Sequence, residues 1–250
     1  MCSARRHPTI CLIVLTNRRQ LNQKQMRTPK AKYVTAVLLA IAGFALQQAE
    51  ADFISNLNVP NDAISPFTGP YGFLDIKLVD STTATVTFTS NVVGGNIYLF
   101  GGAQGTDLNV NGTATASGFA FSQAGQTGGF LAPSVVKQGS GQVDSHGNFN
   151  LTIDYFDGFA HAFNNVTFTL TATGGTTWAN ASNVLAPNAD GFDAAAHIFV
   201  TSFPAVKGHG AKATGFAGEN GAGVPDGGRT AMLLGMALTG LGAVRRFLIS

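Results

Sequence analysis

Residues Asn148–Phe156 read NFNLTIDYF, and this stretch decides the fold class. Every second residue is apolar, so a strand built from it would place its apolar side chains on one face. The apolar set is Phe149, Leu151, Ile153 and Tyr155, and the polar set is Asn150, Thr152 and Asp154. A period of two therefore predicts a β-strand with one face in a core and one in water.

The same alternation recurs along the rest of residues 52–216. Thr83–Ser90 and Val166–Thr171 alternate clearly, with threonines on the polar side. Weaker candidate strands are Phe73–Val79, Asn96–Phe100, Ala114–Phe121, Val135–Gln138, His197–Phe203 and Ala211–Phe216. Gly and Asn turn signals separate them. The pattern predicts an all-β chain with a single antiparallel β-sandwich or jelly-roll-like domain at residues 52–216.

Residues 26–51 have the pattern of a secretory signal peptide. Basic residues between Arg27 and Lys32 precede an apolar run, Val34–Leu46, and Ala49 and Ala51 form an A-x-A site. We predict cleavage between Ala51 and Asp52. Met26 is interpreted as the true start, with residues 1–25 an over-called N-terminal extension; the alternative is an unusually long basic leader.

Cleavage there would change both the cysteine count and the net charge. Cys2 and Cys11 both precede the cleavage site, so the mature chain would contain no disulfide and no Cys-ligated metal. The whole chain has a formal charge of +2. Residues 52–223, however, contain four lysines against ten aspartates and one glutamate, a net charge of −7. An acidic domain argues against nucleic-acid binding.

The C-terminal tail, residues 224–250, has three parts in a fixed order. Val224, Pro225, Asp226, Gly227 and Gly228 form a short motif that follows a Gly-rich linker at residues 217–223. The uncharged run Thr230–Val244 comes next and ends at the basic pair Arg245-Arg246. Its 15 residues would span roughly 22 Å as a helix, which is short for a bilayer core of about 30 Å. A short transmembrane helix with a basic stop is favoured; the alternative is a buried helix of the domain.

This order of motif, apolar run and basic stop resembles the PEP-CTERM sorting signals, and most closely the VPDSG-CTERM variant. The resemblance implies processing by an exosortase in a Gram-negative cell that makes exopolysaccharide, with a role in biofilm or surface-coat structure. With the signal peptide, it implies export through the Sec translocon, cleavage by signal peptidase and transient insertion into the inner membrane. Arg229 and the extra residues Phe247–Ser250 depart from the common pattern of such tails.

One loop has oxygen ligands with partial calcium-site spacing. Asn188, Asp190 and Asp193 lie at i, i+2 and i+5 with Gly191 between them. Calcium is the metal such a loop would take, and we predict no other cofactor. The loop lacks a closing glutamate, so an Asx-rich turn is the alternative interpretation.

Three further groups invite a chemical interpretation. Asp154, Asp157 and His161 fall within eight residues and would suit a general base or a metal, but a strand that ends in an Asp-Gly turn is the favoured interpretation. His146 is interpreted as a hairpin-turn residue, and His197 as a strand residue bonded across the sheet. Trp178 is a candidate for glycan stacking, with a core anchor as the alternative.

We expect an exported, exosortase-processed structural protein of the cell envelope, cell surface or extracellular matrix, without catalytic activity. The first alternative is a carbohydrate-binding module for a matrix polysaccharide. The second is a glycosidase or lyase, since two aspartates brought together by the fold could act as its carboxylate pair.

Overall fold

The computed structural model describes residues 52–219 and the short strand Val224–Pro225, and it confirms the all-β fold. The strands are β1 (Phe53–Leu57), β2 (Val59–Pro60), β3 (Gly72–Asp80), β4 (Thr83–Ser90), β5 (Val92–Val93), β6 (Asn96–Phe100), β7 (Gly102–Leu108), β8 (Thr113–Ser122), β9 (Gln126–Thr127), β10 (Val136–Val143), β11 (Gly147–Tyr155), β12 (Asn165–Thr173), β13 (Ala194–Ser202), β14 (Ala205–Val206), β15 (Ala213–Gly218) and β16 (Val224–Pro225). Short 3₁₀ turns lie at Phe159–His161, Ala181–Asn183 and Lys207–His209.

Two sheets make the sandwich. Sheet A has the order β16-β1-β3-β4-β12-β8, and all its pairs are antiparallel. Sheet B has the order β10-β11-β7-β13-β15-β2; β6 also pairs with β13, and β5 pairs with β6. A small parallel pair, β9 and β14, lies apart from both. The predicted signal peptide, residues 220–223 of the predicted linker and the C-terminal apolar run lie outside the described residues.

The inner faces of the two sheets form one aromatic-rich core. In β4, Ala84, Val86 and Phe88 are fully buried, while the intervening threonines point away from the core. The Phe88 ring packs against Phe100 of sheet B at 6.1 Å and against Phe168 of sheet A at 6.4 Å between centroids. Alternation along β4 thus does what its sequence predicts, and burial of the rings stabilises the sandwich.

The sandwich is joined along both of its sides. On one side the chain passes from β1 to β2, and hence from sheet A to sheet B, through Asn58, whose N–H bonds the Gly218 carbonyl at 3.1 Å. On the other side Gln138 of β10 bonds the backbone of Ala116 in β8. Its Oε1 accepts from the Ala116 N–H at 2.8 Å, and its Nε2 donates to the Ala116 carbonyl at 2.6 Å.

Most predicted strands are present, with ends shifted by a few residues. Thr83–Ser90 matches β4 at both ends, and the other clear predictions correspond to β11 and β12. Sequence patterns missed β1 and β7. β15 extends to Gly218, past the predicted domain end at residue 216, and Glu219, assigned to the linker, is fully buried.

The predicted faces of β11 need a correction. Leu151, Ile153 and Tyr155 enter the main core, but Phe149 joins a separate cluster with Val143 and Ala195 on the outer face of sheet B. The register against β10 shifts here, because three steps along β11 oppose two steps along β10. One extra residue reverses the alternation, so Phe149 does not share a face with the other three.

Candidate functional site

The described part of the C-terminal motif is a strand on the edge of sheet A. Val224 lies opposite Ile54 and Pro225 lies opposite Phe53, in antiparallel pairing with β1. The rest of the motif, Asp226 to Gly228, and the basic stop, Arg245 and Arg246, lie outside the described residues. The backbone of the predicted motif therefore begins as an added strand beside the first strand of the domain.

The predicted start of the mature chain lies at the same edge. Asp52 accepts a hydrogen bond from the Lys77 ammonium on β3 at 2.8 Å, and Asp75 lies 3.5 Å from the same nitrogen. The hydrogen bond to Asp52 and the charge of Asp75 raise the pKa of Lys77, whose side chain is half exposed. Ala49 and Ala51, the other two residues of the predicted cleavage site, lie outside the described part of the chain.

The Asn188 loop is organised by its own backbone. The Asn188 side-chain oxygen accepts from the N–H groups of Asp190 and Phe192, both at 3.0 Å, while its amide nitrogen donates to the His146 carbonyl at 2.8 Å. That oxygen therefore caps a turn, as the Asx interpretation expects. Asp190 is exposed and Asp193 is buried, so the two carboxylates differ in environment.

Asp193 pairs with another acid at the end of β15. Its carboxyl group is hydrogen-bonded to that of Glu219, and burial raises the pKa of Asp193 although this bond opposes the shift. Two carboxyl groups can share a hydrogen bond only when one of them is protonated. Within residues 52–219 and Val224–Pro225, no group of three or more His, Cys, Asp or Glu side chains is placed to hold a metal ion.

Asp107 of β7 is an ionisable group in the interior of the described domain. It is fully buried, and neither carboxyl oxygen has a hydrogen-bond partner among the described residues. Burial raises the pKa of Asp107 well above its usual value, and the nearby charge of Asp154 adds to the effect. A buried carboxyl without a donor is held in its neutral form at a cost to stability.

Asp157 and His161 lie close together, with 3.8 Å between Asp157 Oδ2 and His161 Nδ1, whereas Asp154 bonds a different part of the domain. Asp154 accepts from the Gln104 N–H at 2.6 Å, on the outer face of sheet B. Asp157 accepts from the N–H and hydroxyl of Ser134 at 2.7 and 2.9 Å, and these bonds lower the pKa of Asp157. His161 bonds the Ala132 carbonyl through Nδ1 at 2.9 Å. The last two residues hold the loop that precedes β10.

Two histidines act as cross-links between strands. His146 is fully buried in the β10–β11 turn, with Nδ1 2.7 Å from the Asp144 carbonyl and Nε2 2.9 Å from the Val59 carbonyl of β2. His197 lies 2.7 Å from the Gly101 carbonyl and 2.6 Å from the Thr214 hydroxyl, bonded across the sheet as its sequence position predicts. Burial lowers the pKa of His197.

Trp178 lies in the main core. Its side chain is 2% exposed, and its indole N–H donates to the Asn111 carbonyl at 3.1 Å. Neither face of a ring buried in this way is free to stack on a sugar. The position corresponds to the core-anchor alternative, and glycan contact through Trp178 stays a prediction.

A comparison with known protein families identifies the C-terminal segment that begins with the edge strand. A family model described as the VPDSG-CTERM motif matches residues 223–247. The tail is a VPDSG-CTERM sorting signal. Comparisons with curated proteins and with solved structures found no match to this chain.

The VPDSG-CTERM signal indicates an exported protein that is sorted by an exosortase, and it supports delivery to the cell envelope or cell surface. The match covers the motif, the apolar run and the basic stop that the sequence predicted. Within the described residues, no helix is both long enough and apolar enough to cross a membrane.

Sequence reasoning missed two features of this region. Strand β1, which receives the motif, has no clear alternation signal, although Phe53, Ser55 and Leu57 are its buried residues. Asp107 also gave no signal, because aspartate is uncommon in strands and Gly102–Leu108 has no clear alternation.

Proposed function

We propose that this protein is a non-catalytic structural component of the cell envelope or extracellular matrix of a Gram-negative bacterium, associated with exopolysaccharide in a biofilm. Signal peptidase would cut between Ala51 and Asp52 during Sec export. The apolar run Thr230–Val244 would cross the inner membrane until an exosortase processes the motif. The single observation that supports this route is the VPDSG-CTERM match at residues 223–247.

The surface of sheet A supports a solvated structural role. Threonines of β4 and β12 lie side by side in register, and the Thr87 and Thr167 hydroxyl oxygens are 3.0 Å apart. Hydroxyl groups in this position satisfy each other or water and keep strand geometry. An acidic domain with such a face is suited to a hydrated matrix.

The residues that could have supported catalysis have structural partners. Asp154 and Asp157 bond backbone N–H groups, and His161 bonds a carbonyl. To test the non-catalytic proposal, the purified protein should be incubated with the polysaccharide of its own cell. We expect the polymer length, measured by size-exclusion chromatography with light scattering, to stay constant. Shortening that disappears in Asp154→Asn or Asp157→Asn would contradict the proposal.

Intact mass of the protein from the culture medium and the cell envelope tests the export route. We expect a species that begins at Asp52 and ends between Val224 and Gly228. Pro225→Ala and Asp226→Ala should reduce its amount, while Ala222→Ser, just outside the matched motif, should leave it unchanged. A species in the inner membrane that retains Ser250 would mean that the tail is a plain anchor.

A carbohydrate-binding module is the second candidate, and the hydroxyl face of sheet A favours it. Thr171 of β12 and Thr115 of β8 are exposed and lie opposite each other, so a glycan could bond both. Trp178→Ala is a poor test because it would damage the core. Thr115→Val combined with Thr171→Val is preferable: affinity for the native polysaccharide should fall if this face binds, and an unchanged affinity would remove this candidate.

A further inference from the structure

The edge of sheet A beside β1 is occupied by the start of the sorting motif. β16 adds to β1 through two residue pairs, Val224 with Ile54 and Pro225 with Phe53. On its other side β1 pairs with β3 along all five of its residues. β1 is therefore an inner strand only for as long as β16 is in place.

Backbone parity shows which pair can be hydrogen-bonded. In antiparallel pairing, hydrogen-bonded and non-hydrogen-bonded pairs alternate, and each residue directs both backbone groups to the same neighbour. Pro225 has no N–H, so the pair able to exchange two bonds is Ile54 with Val224. The backbone of Ile54 then faces β16, whereas the backbone groups of Phe53 and Ser55 face β3.

The proline suits this position. Proline is tolerated on edge strands where its nitrogen does not face a partner, and it discourages further strands from adding. Because the pairing is antiparallel, the last residue of β16 lies beside the first residue of β1. The Phe53 end of β1 and the Pro225 end of the motif therefore leave the sheet at the same end.

We propose that β1 is a docking strand for the VPDSG-CTERM motif, and that an exosortase must displace β16 before it can process the chain. A processing enzyme must reach the backbone of the motif. While β16 is in place, the backbone N–H and carbonyl of Val224 are paired with those of Ile54 and are blocked. Folding of the domain thus slows processing of its own tail. This inference rests on exosortase processing at the motif, as proposed above.

Hydrogen–deuterium exchange of the full-length chain in detergent tests the docking directly. Ile54→Pro removes the N–H that faces β16 and leaves the bonds of Phe53 and Ser55 to β3; Ile54→Val keeps it and is the matched control. A peptide containing Val224 should exchange about tenfold more slowly than an unstructured amide in wild type and Ile54→Val, and should lose this protection in Ile54→Pro. Unchanged protection in β3 and β4 shows that the variant folds. Equal exchange of Val224 in all three proteins overturns the proposal.

A reversible cross-link tests the consequence for processing in cells. Ile54→Cys combined with Val224→Cys places two thiols at a hydrogen-bonded pair, where Cα atoms are about 5.5 Å apart and a disulfide can form. The oxidised protein should accumulate as precursor and be processed after reduction, whereas Ile54→Pro should be processed several-fold faster than wild type. Equal processing of the oxidised double variant, the reduced double variant and Ile54→Pro overturns the proposal.

The two hypotheses can fail separately. If wild type and all variants keep Ser250, exosortase processing is wrong, while the exchange experiment still decides whether β1 holds the motif. If the tail is removed at the same rate in every variant and Val224 is unprotected, processing stands and docking on β1 is wrong.

Discussion

Sheet A and sheet B share one core but differ on their outer faces. The outer face of sheet A is a regular array of threonines open to water, as at Thr87 and Thr167. The outer face of sheet B is covered by loops and holds aromatic rings such as Phe130, Phe159 and Phe199, with centroid separations of 5.2 and 5.7 Å along the row. Sheet B also buries Asp107 and His146. The sequence of a strand with one face in water alternates between polar and apolar residues. The sequence of a strand buried on both faces depends instead on the contacts that each residue makes.

The shared core should respond most strongly to truncation. Phe88→Ala removes a fully buried ring between the sheets and should lower the free energy of unfolding by about 3–5 kcal/mol. Phe156→Ala, at a ring that is half exposed below the Lys137 ammonium, should cost about 0.5 kcal/mol. Urea denaturation monitored by fluorescence measures both. Equal losses would mean that the sheets do not pack through Phe88.

The break between β6 and β7 should be a sensitive backbone position of sheet B. Gly102 has φ +83°, and a Cβ there would lie 2.6 Å from His197 Nδ1, so Gly102→Ala should cost about 2–3 kcal/mol. Gly175 has the same φ of +83° with nothing within 4 Å. Gly175→Ala should therefore cost only about 1 kcal/mol for the backbone. Thermal unfolding compares the two, and their difference measures the contact with His197.

The buried acid of sheet B should make stability depend on pH. Burial raises the folded pKa of Asp107, so the folded state keeps this proton longer than the unfolded state. Wild type should lose stability as the pH rises from about 4, the usual carboxyl pKa, toward the folded pKa of Asp107. Asp107→Leu should stabilise the protein by about 2 kcal/mol at pH 7 and less at pH 4.

Asp107→Asn separates charge from polarity. It removes the titrating group but keeps a buried polar side chain, so it should remove the part of the pH dependence that Asp107 causes and recover only part of the stability. Urea midpoints at pH 4, 5.5 and 7 measure this. A gap between wild type and Asp107→Leu that stays constant with pH would show that Asp107 ionises freely in the fold.

Removal of a hydroxyl group from the outer face of sheet A should change stability least, whereas removal of a buried hydroxyl group from sheet B should cost more. Thr87→Val removes one hydroxyl from the outer array and should change stability by less than about 0.5 kcal/mol. Thr106→Val in sheet B leaves the buried Tyr155 hydroxyl without its partner at 2.9 Å and should cost about 1–2 kcal/mol. The denaturation midpoints of the two variants, each compared with wild type, measure both effects. A large loss for Thr87→Val would mean that the outer face of sheet A carries structural hydrogen bonds.

The same contrast explains what could be predicted from sequence. Both ends of β4 were predicted correctly. Its threonines face water and its apolar residues face the core, so the alternation in its sequence follows the environment of each side chain. β7 could not be predicted from its sequence. Glycine is required at position 102 because His197 lies too close for a Cβ, and Asp107 lies where an apolar residue would be expected. Phe149 was assigned to the wrong face because nothing in an alternating sequence announces an extra residue in the ladder.

The candidate site divides in the same way. The sorting tail was recognisable because its function depends on a linear order of residues, which sequence shows directly. Trp178 was ambiguous because an aromatic residue serves equally well in a core or on a surface. The pairing of Val224–Pro225 with β1 joins residues that are about 170 positions apart, and only the fold brings them together.

The amide of Gln138 has a consequence for assembly. By bonding both backbone groups of Ala116 as a neighbouring strand would, it occupies the edge of β8 at that residue. A second molecule that added a strand to β8 there would first have to displace Gln138, so the side chain guards this sheet edge against unwanted strand addition.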